Sequence, residues 1–233
     1  MRSSFIIGAS VVTIIAAGAT ASITGAVVNN YSGTYEDFGG VTVTVNVSDL
    51  YLTSDDAADT ALNVYNFQMA PAGMVDYYQS ITGTGWLPTN LGGIFDNEAI
   101  RQADSFVTIG GFDFSSRPAQ AAGAGAGTGL DPNFGGNTVP YPGALAGWYN
   151  GNPPNLNGQV GNTVVGLGVL VGRFSEPAQL DKVSIVGSTL EVTWNQGLGT
   201  PGQQAGFVVN VPAPGALALL GLAGIAGRRR RNG

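Results

Sequence analysis

The 233-residue chain contains neither cysteine nor histidine. The first absence excludes disulfides, thiol nucleophiles and thiolate metal sites; the second removes imidazole as a general base and as a zinc ligand. Charge is scarce too: Asp, Glu, Lys and Arg make up 10% of the chain, against about 25% in an ordinary soluble domain. Basic residues are rarest in the middle. Between Ser22 and Val211, Arg101, Arg117, Arg173 and Lys182 stand against all fifteen acidic residues, a net charge of −11. Such a surface repels polyanions, so no nucleic-acid partner is expected, because that binding draws on clustered Lys and Arg.

Glycine and proline, by contrast, are plentiful at 37 and 12 residues, which favours turns and short strands over long helices. Apolar residues are 44% of the chain, enough for the core of one domain between two accessory ends.

At the N-terminus, Met1-Arg2-Ser3-Ser4 precedes an apolar stretch over 5–18, and Ala19-Thr20-Ala21 closes it. A positive start, an apolar run and small residues at an A-x-A site are the three parts of a secretory signal. Residues 1–21 are therefore expected to engage the secretion machinery and to be cut after Ala21, with Ala19 and Ala21 defining the site. An uncleaved anchor is the alternative, but the run is shorter than the roughly 20 residues a spanning helix needs.

At the other end, Val211-Pro212-Ala213-Pro214 introduces a Gly-, Ala- and Leu-rich hydrophobic segment, 214–227, followed by Arg228, Arg229, Arg230 and Arg231. Arginines are costly to translocate, so this cluster keeps the end of the tail cytoplasmic and leaves the body outside. As a transmembrane helix, 214–227 reaches about 21 Å against a hydrocarbon core of about 30 Å. Its Gly and Ala side chains add little apolar area to hold it there. A transient anchor follows.

Motif, apolar segment and arginine cluster, in that order over 211–233, resemble the PEP-CTERM sorting signal. In that family a Val-Pro-Glu-Pro motif precedes a transmembrane stretch and an arginine-rich end; here Ala213 stands in the glutamate's place. The resemblance implies a membrane-embedded processing enzyme, an exosortase, as partner near Val211 to Pro214. It also implies a destination at the cell envelope, outer surface or extracellular polysaccharide matrix. A plain C-terminal anchor without processing is the alternative.

In the body, 22–210, period-2 patterning dominates. Residues 41–47 read Val-Thr-Val-Thr-Val-Asn-Val, a strand with one buried face. Further strands are expected over 49–53, 61–69, 105–112, 163–174, 182–186, 189–194 and 206–210. Gly187-Ser188 reads as a two-residue hairpin turn with glycine first, 97–104 as one short helix, and the Gly/Ala-rich stretch 119–136 as a flexible surface loop. Short turns without helical spacers predict an all-β fold, an antiparallel β-sandwich of jelly-roll or Greek-key type. It is flanked by the signal segment and the C-terminal hydrophobic helix.

Two clusters in the body are candidate sites. Asp55, Asp56 and Asp59 gather on one loop, and clustered carboxylates suit a hard cation such as calcium; capping and solvation explain the same residues without a metal. Trp148 and Tyr149 head a turn rich in asparagine, side chains that stack on and hydrogen-bond to sugars, though aromatics at such a place also fill a core. Glu36, Glu98, Glu176 and Glu191 are the only glutamates. None stands in a catalytic motif, although two carboxylates in the right geometry are enough for a glycosidase. The sequence thus favours a non-catalytic surface or matrix protein acting in adhesion, coating or scaffolding, with no cofactor. A polysaccharide- or calcium-binding module is the runner-up.

Overall fold

The computed structural model describes residues 22–81, 85–89, 92–112, 119–121, 123–178 and 185–212. The expected signal, with Ala19 and Ala21, lies outside them, as does the tail from Ala213 and Pro214 through Arg228 to Arg231. The described body is all-β. Its strands are β1 (Ile23–Asp37), β2 (Val41–Ser54), β3 (Thr60–Gln68), β4 (Phe106–Val107), β5 (Thr128–Leu130), β6 (Ala146–Asn150), β7 (Gly161–Thr163), β8 (Gly166–Pro177), β9 (Thr189–Asn195) and β10 (Gln203–Asn210). They form one mixed sheet in the order β4-β8-β2-β1-β10-β9-β3-β6-β5, with β7 on β8.

The alternating run that opens β2 does what its period requires. With β1 it makes a long antiparallel hairpin, in register from Gly25↔Thr53 to Asp37↔Val41. Two glycines with φ of 78°, Gly39 and Gly40, turn the chain at its tip, a conformation side chains resist. Past Val47 the residues of β2 are buried on both faces, as are most of β8. One face looks into the main core; the other is covered by the short helix α1 (Glu98–Gln102) and the loops around it. Asn97 caps α1 by accepting the Ile100 N–H at 2.7 Å, as Asn does at helix starts.

The sheet falls into two halves. The first holds β4, β8, β2 and β1; the second holds β10, β9, β3, β6 and β5. Among the described residues, their strands are laddered at a parallel seam two residues long, Ala26↔Val209 and Val27↔Asn210, and an isolated antiparallel bridge, Thr60↔Gln159, ties β3 to the segment that leads into β7. On the far side they are tied by single bonds: the Ile109 N–H to Thr128 Oγ1 at 3.2 Å, and Trp148 Nε1 to the Thr108 carbonyl at 3.0 Å. The sheet therefore curls almost into a barrel around one core. Val28, Leu50, Leu52, Val171 and Phe174 enter it from the first half; Val64, Phe67, Trp148, Val192 and Trp194 enter from the second. Trp86, carried in by a loop, packs edge-on against Tyr77 and Phe134.

Several expected elements change. Segments 41–47 and 49–53 are one strand. The strand expected over 105–112 ends at Val107, because Gly110 and Gly111 turn the chain with φ of 64° and 80°; a Cβ on Gly110 would lie 1.7 Å from the Asn157 carbonyl oxygen. Segment 163–174 is broken at Val164 and Val165. Of 182–186 only Ile185 and Val186 are described, and they lie in a turn closed by the Ser188 N–H on the Ile185 carbonyl at 3.0 Å. Gly187 is thus third in its turn, with φ of 86°, the place a type II turn gives glycine, rather than first in a hairpin loop. The stretch 119–136 is not a free surface loop in its described part: it contributes β5, and it buries Gln120 and Phe134 completely.

Candidate functional site

The acidic loop between β2 and β3 is tied down by hydrogen bonds within itself and to Ser22 and Gln196. Asp55 Oδ1 accepts the Ser22 N–H at 2.7 Å, Asp56 Oδ1 the Ala58 N–H at 2.8 Å, and Asp59 Oδ2 the Ser54 hydroxyl at 2.7 Å. Asp59 is buried, and its Oδ1 has no hydrogen-bond partner. Burial pushes its carboxyl upward, with the charges of Asp56 and Asp55 adding to it against the Ser54 bond. Each carboxylate thus serves its own local bond, and no group of three acidic side chains able to hold a metal ion occurs among the described residues.

Trp148 and Tyr149 part company. They are neighbours on β6, so the alternation of a strand sends them to opposite faces. Trp148 is fully buried, while Tyr149 is 44% exposed. Only Tyr149 is available to a ligand. Of the sorting motif, Val211 is exposed immediately after β10 and Pro212 follows it.

The strongest polar interactions lie beneath α1. Arg173 on β8 and Asp49 on β2 are both wholly buried and joined at 2.7 Å. Nearby, Asp37 accepts from Ser80 Oγ at 2.6 Å, from Asn97 Nδ2 at 3.1 Å and from the Tyr78 hydroxyl. Burial raises the Asp37 carboxyl, but bonds from Ser80, Tyr78 and two backbone N–H groups outweigh it and hold it below the usual range. Asp104 accepts the Ser80 N–H at 2.8 Å and is pushed up to about 7, chiefly by burial. These groups are closed off from solvent and fix loops to the sheet.

The outer face of the second half is different, because it is open. Cross-strand register lines up Tyr149, Asn63, Thr193 and Gln204 in one row, and Tyr65, Glu191 and Gly206 in the next. A groove of about 290 Å³ runs here, lined by Asn66, Thr189, Glu191, Gly206 and Val208 among others. A register shift between Tyr65 and Gln68 puts Asn66 at φ 49°, a left-handed conformation that Asn tolerates better than most residues. From there Asn66 Nδ2 donates to Glu191 Oε1 at 3.0 Å. Tyr65 stands directly across from Glu191, and burial together with that carboxylate raises its hydroxyl pKa. Gly206, directly across from Glu191, leaves the floor low.

This face offers an aromatic ring, a carboxylate already oriented by the Asn66 amide, and threonine hydroxyls, with no cationic side chain among the groove's described residues. Of these, the sequence singled out only Tyr149 and, as one of four glutamates, Glu191. The period-2 alternation of 189–194 marks Glu191 as outward-facing; nothing local joins it to Asn66, 125 residues away.

No family model matches the chain, and no curated protein or solved structure matches it.

Proposed function

We propose that this chain is a non-catalytic protein of the cell surface or extracellular matrix. In this reading it is exported by the general secretory route, sorted by its PEP-CTERM-like tail with transient membrane anchoring, and its body acts in adhesion, coating or scaffolding. The observation that supports it most is where the sheet starts and stops. β1 opens at Ile23, just past the expected cut after Ala21, and β10 ends at Asn210, next to Val211. Every described rung of the ladder lies between signal and tail, so removing either takes away none of those rungs. The body is read as a variant of the jelly-roll or Greek-key sandwich, its two halves packed across one core and joined at a short seam.

Glu191 is the one carboxylate among the groove's described lining residues. Intact mass of the protein from envelope and medium tests the main reading. The expected species lacks 1–21 and ends near Pro212. A species that keeps Arg228 to Arg231 in the medium overturns processing, and one that keeps Met1 overturns signal cleavage.

The outward ring of Tyr149 and the groove beside it favour a second reading, a polysaccharide-binding module. The calcium alternative has the acidic loop alone.

A further inference from the structure

The geometry points to the groove on β3, β9 and β10 as a binding site for an uncharged, hydroxyl-rich glycan chain. Beside the groove Tyr65 is the stacking surface, and within it Asn66 and Glu191 are the pair that reads hydroxyl groups. The inference deepens the polysaccharide reading above and does not depend on how the tail is processed.

Four features converge on this ligand. Tyr65 projects from the open face opposite Glu191, and an aromatic face packs well on the C–H face of a sugar ring. Glu191 accepts from Asn66 at 3.0 Å; its remaining lone pairs, with the Asn66 side-chain carbonyl, suit the donors a pyranose presents. The pair is held in place beforehand, since Asn66 sits in a left-handed conformation imposed by the bulge. Non-glycine residues in that region cluster at binding sites because the surroundings must hold them there. Finally, Tyr149 lies one strand over and two residues along from Tyr65, a diagonal of roughly 7–8 Å. The aromatic surface thus extends along the sheet, as a chain ligand needs and a single small molecule does not.

Charge decides among chain ligands. The body carries −11 between Ser22 and Val211, and Glu191 adds its carboxylate at the contact itself, so an anionic polysaccharide is repelled. A cationic chain would pair with Glu191, but that attraction is screened by salt. Stacking and neutral hydrogen bonds are not.

Native electrophoresis of the full-length protein in mild detergent, through gels containing hydroxyethyl cellulose, dextran, alginate or polylysine, tests the site. Retardation is expected with at least one of the two uncharged polymers, unchanged by added salt, and absent with alginate. Tyr65→Ala is expected to weaken it by about tenfold or more, one lost contact of ordinary strength. Asn66→Gly keeps a residue at ease with positive φ and removes only the amide; it is expected to weaken retardation severalfold at an unchanged melting temperature, so the test survives even where Tyr65→Ala folds poorly. Failure of both uncharged polymers to retard the protein overturns the inference. So does retardation that Asn66→Gly and Glu191→Gln both leave intact, or binding confined to polylysine and lost in salt. None of these outcomes alters the masses that test sorting.

Discussion

Arg173 Nε donates to Asp49 Oδ1 at 2.7 Å across 124 residues of sequence, and neither side chain has any exposed surface. Arg173 also reaches Asp49 Oδ2 at 3.2 Å and lies over the Phe106 ring, 5.3 Å from its centroid. The Tyr31 hydroxyl completes the carboxylate's shell at 3.0 Å. Burial works against the arginine's charge, but Asp49 outweighs it and raises the guanidinium pKa further. Removing one partner strands the other charge in the interior. Arg173→Met is therefore expected to cost about 3–5 kcal/mol in urea unfolding, whereas Asp49→Leu with Arg173→Met returns close to the parent stability. A double variant as unstable as the single one would contradict this account.

Asp104 sets a pH dependence. Its carboxyl is pushed up to about 7 in the fold, against about 3.9 in an unfolded chain. The folded state binds that proton more tightly, so the group's contribution is complete below about pH 4, declines as pH rises toward about 7 and is level beyond. Asp37, held below its ordinary value by its hydrogen bonds, works the other way and loses its contribution in acid. Melting temperatures across this window should fall with rising pH in the parent. In Asp104→Asn that slope should flatten; an identical slope in both would exclude Asp104 as its source.

The two aromatics of β6 separate packing from binding. Trp148→Ala empties a fully buried site and is expected to cost about 3–5 kcal/mol. Tyr149→Ala, at an exposed position, is expected to stay within about 0.5 kcal/mol while weakening retardation by uncharged glycans. Thermal melts and the same gels read both. Equal destabilisation by the two changes would mean that Tyr149 is not the surface residue described.

For calcium, the expected result is no change in melting temperature at millimolar concentration, since Asp55, Asp56 and Asp59 each serve a separate local bond. A rise that disappears in Asp55→Asn with Asp59→Asn would assign a metal site to this loop after all.

The sequence made β2 legible because its alternation is strict, and β3, β9 and β10 nearly so. It concealed β1. That strand is rich in Asn, Ser, Gly and Thr, and it is held by its partner: Thr34 meets Thr44 at 3.0 Å, Ser32 meets Asn46 at 2.7 Å and Thr24 meets Thr53 at 3.1 Å. Cross-strand pairs stabilise a sheet but leave no periodic apolar signature. β6 was hidden for the opposite reason, since its aromatics read as a turn next to asparagine and proline. The groove was the least visible feature. Tyr65 and Asn66 are joined to Glu191 only by the sheet, and the backbone angle that aims Asn66 is set by a register shift that no local pattern announces.

The seam between β1 and β10 also fixes the order in which the molecule can be finished. It joins Ala26 to Val209, nearly the whole length of the body, and closing so long a loop is a late and slow event. A chain emerging N-terminus first, from a ribosome or through a membrane channel, has the β1–β2 hairpin complete long before its last strand arrives. Until then β1 keeps one edge unpaired and the core stands open on that side. The body thus stays an unfinished sheet until its final strand arrives, and only then does the core close.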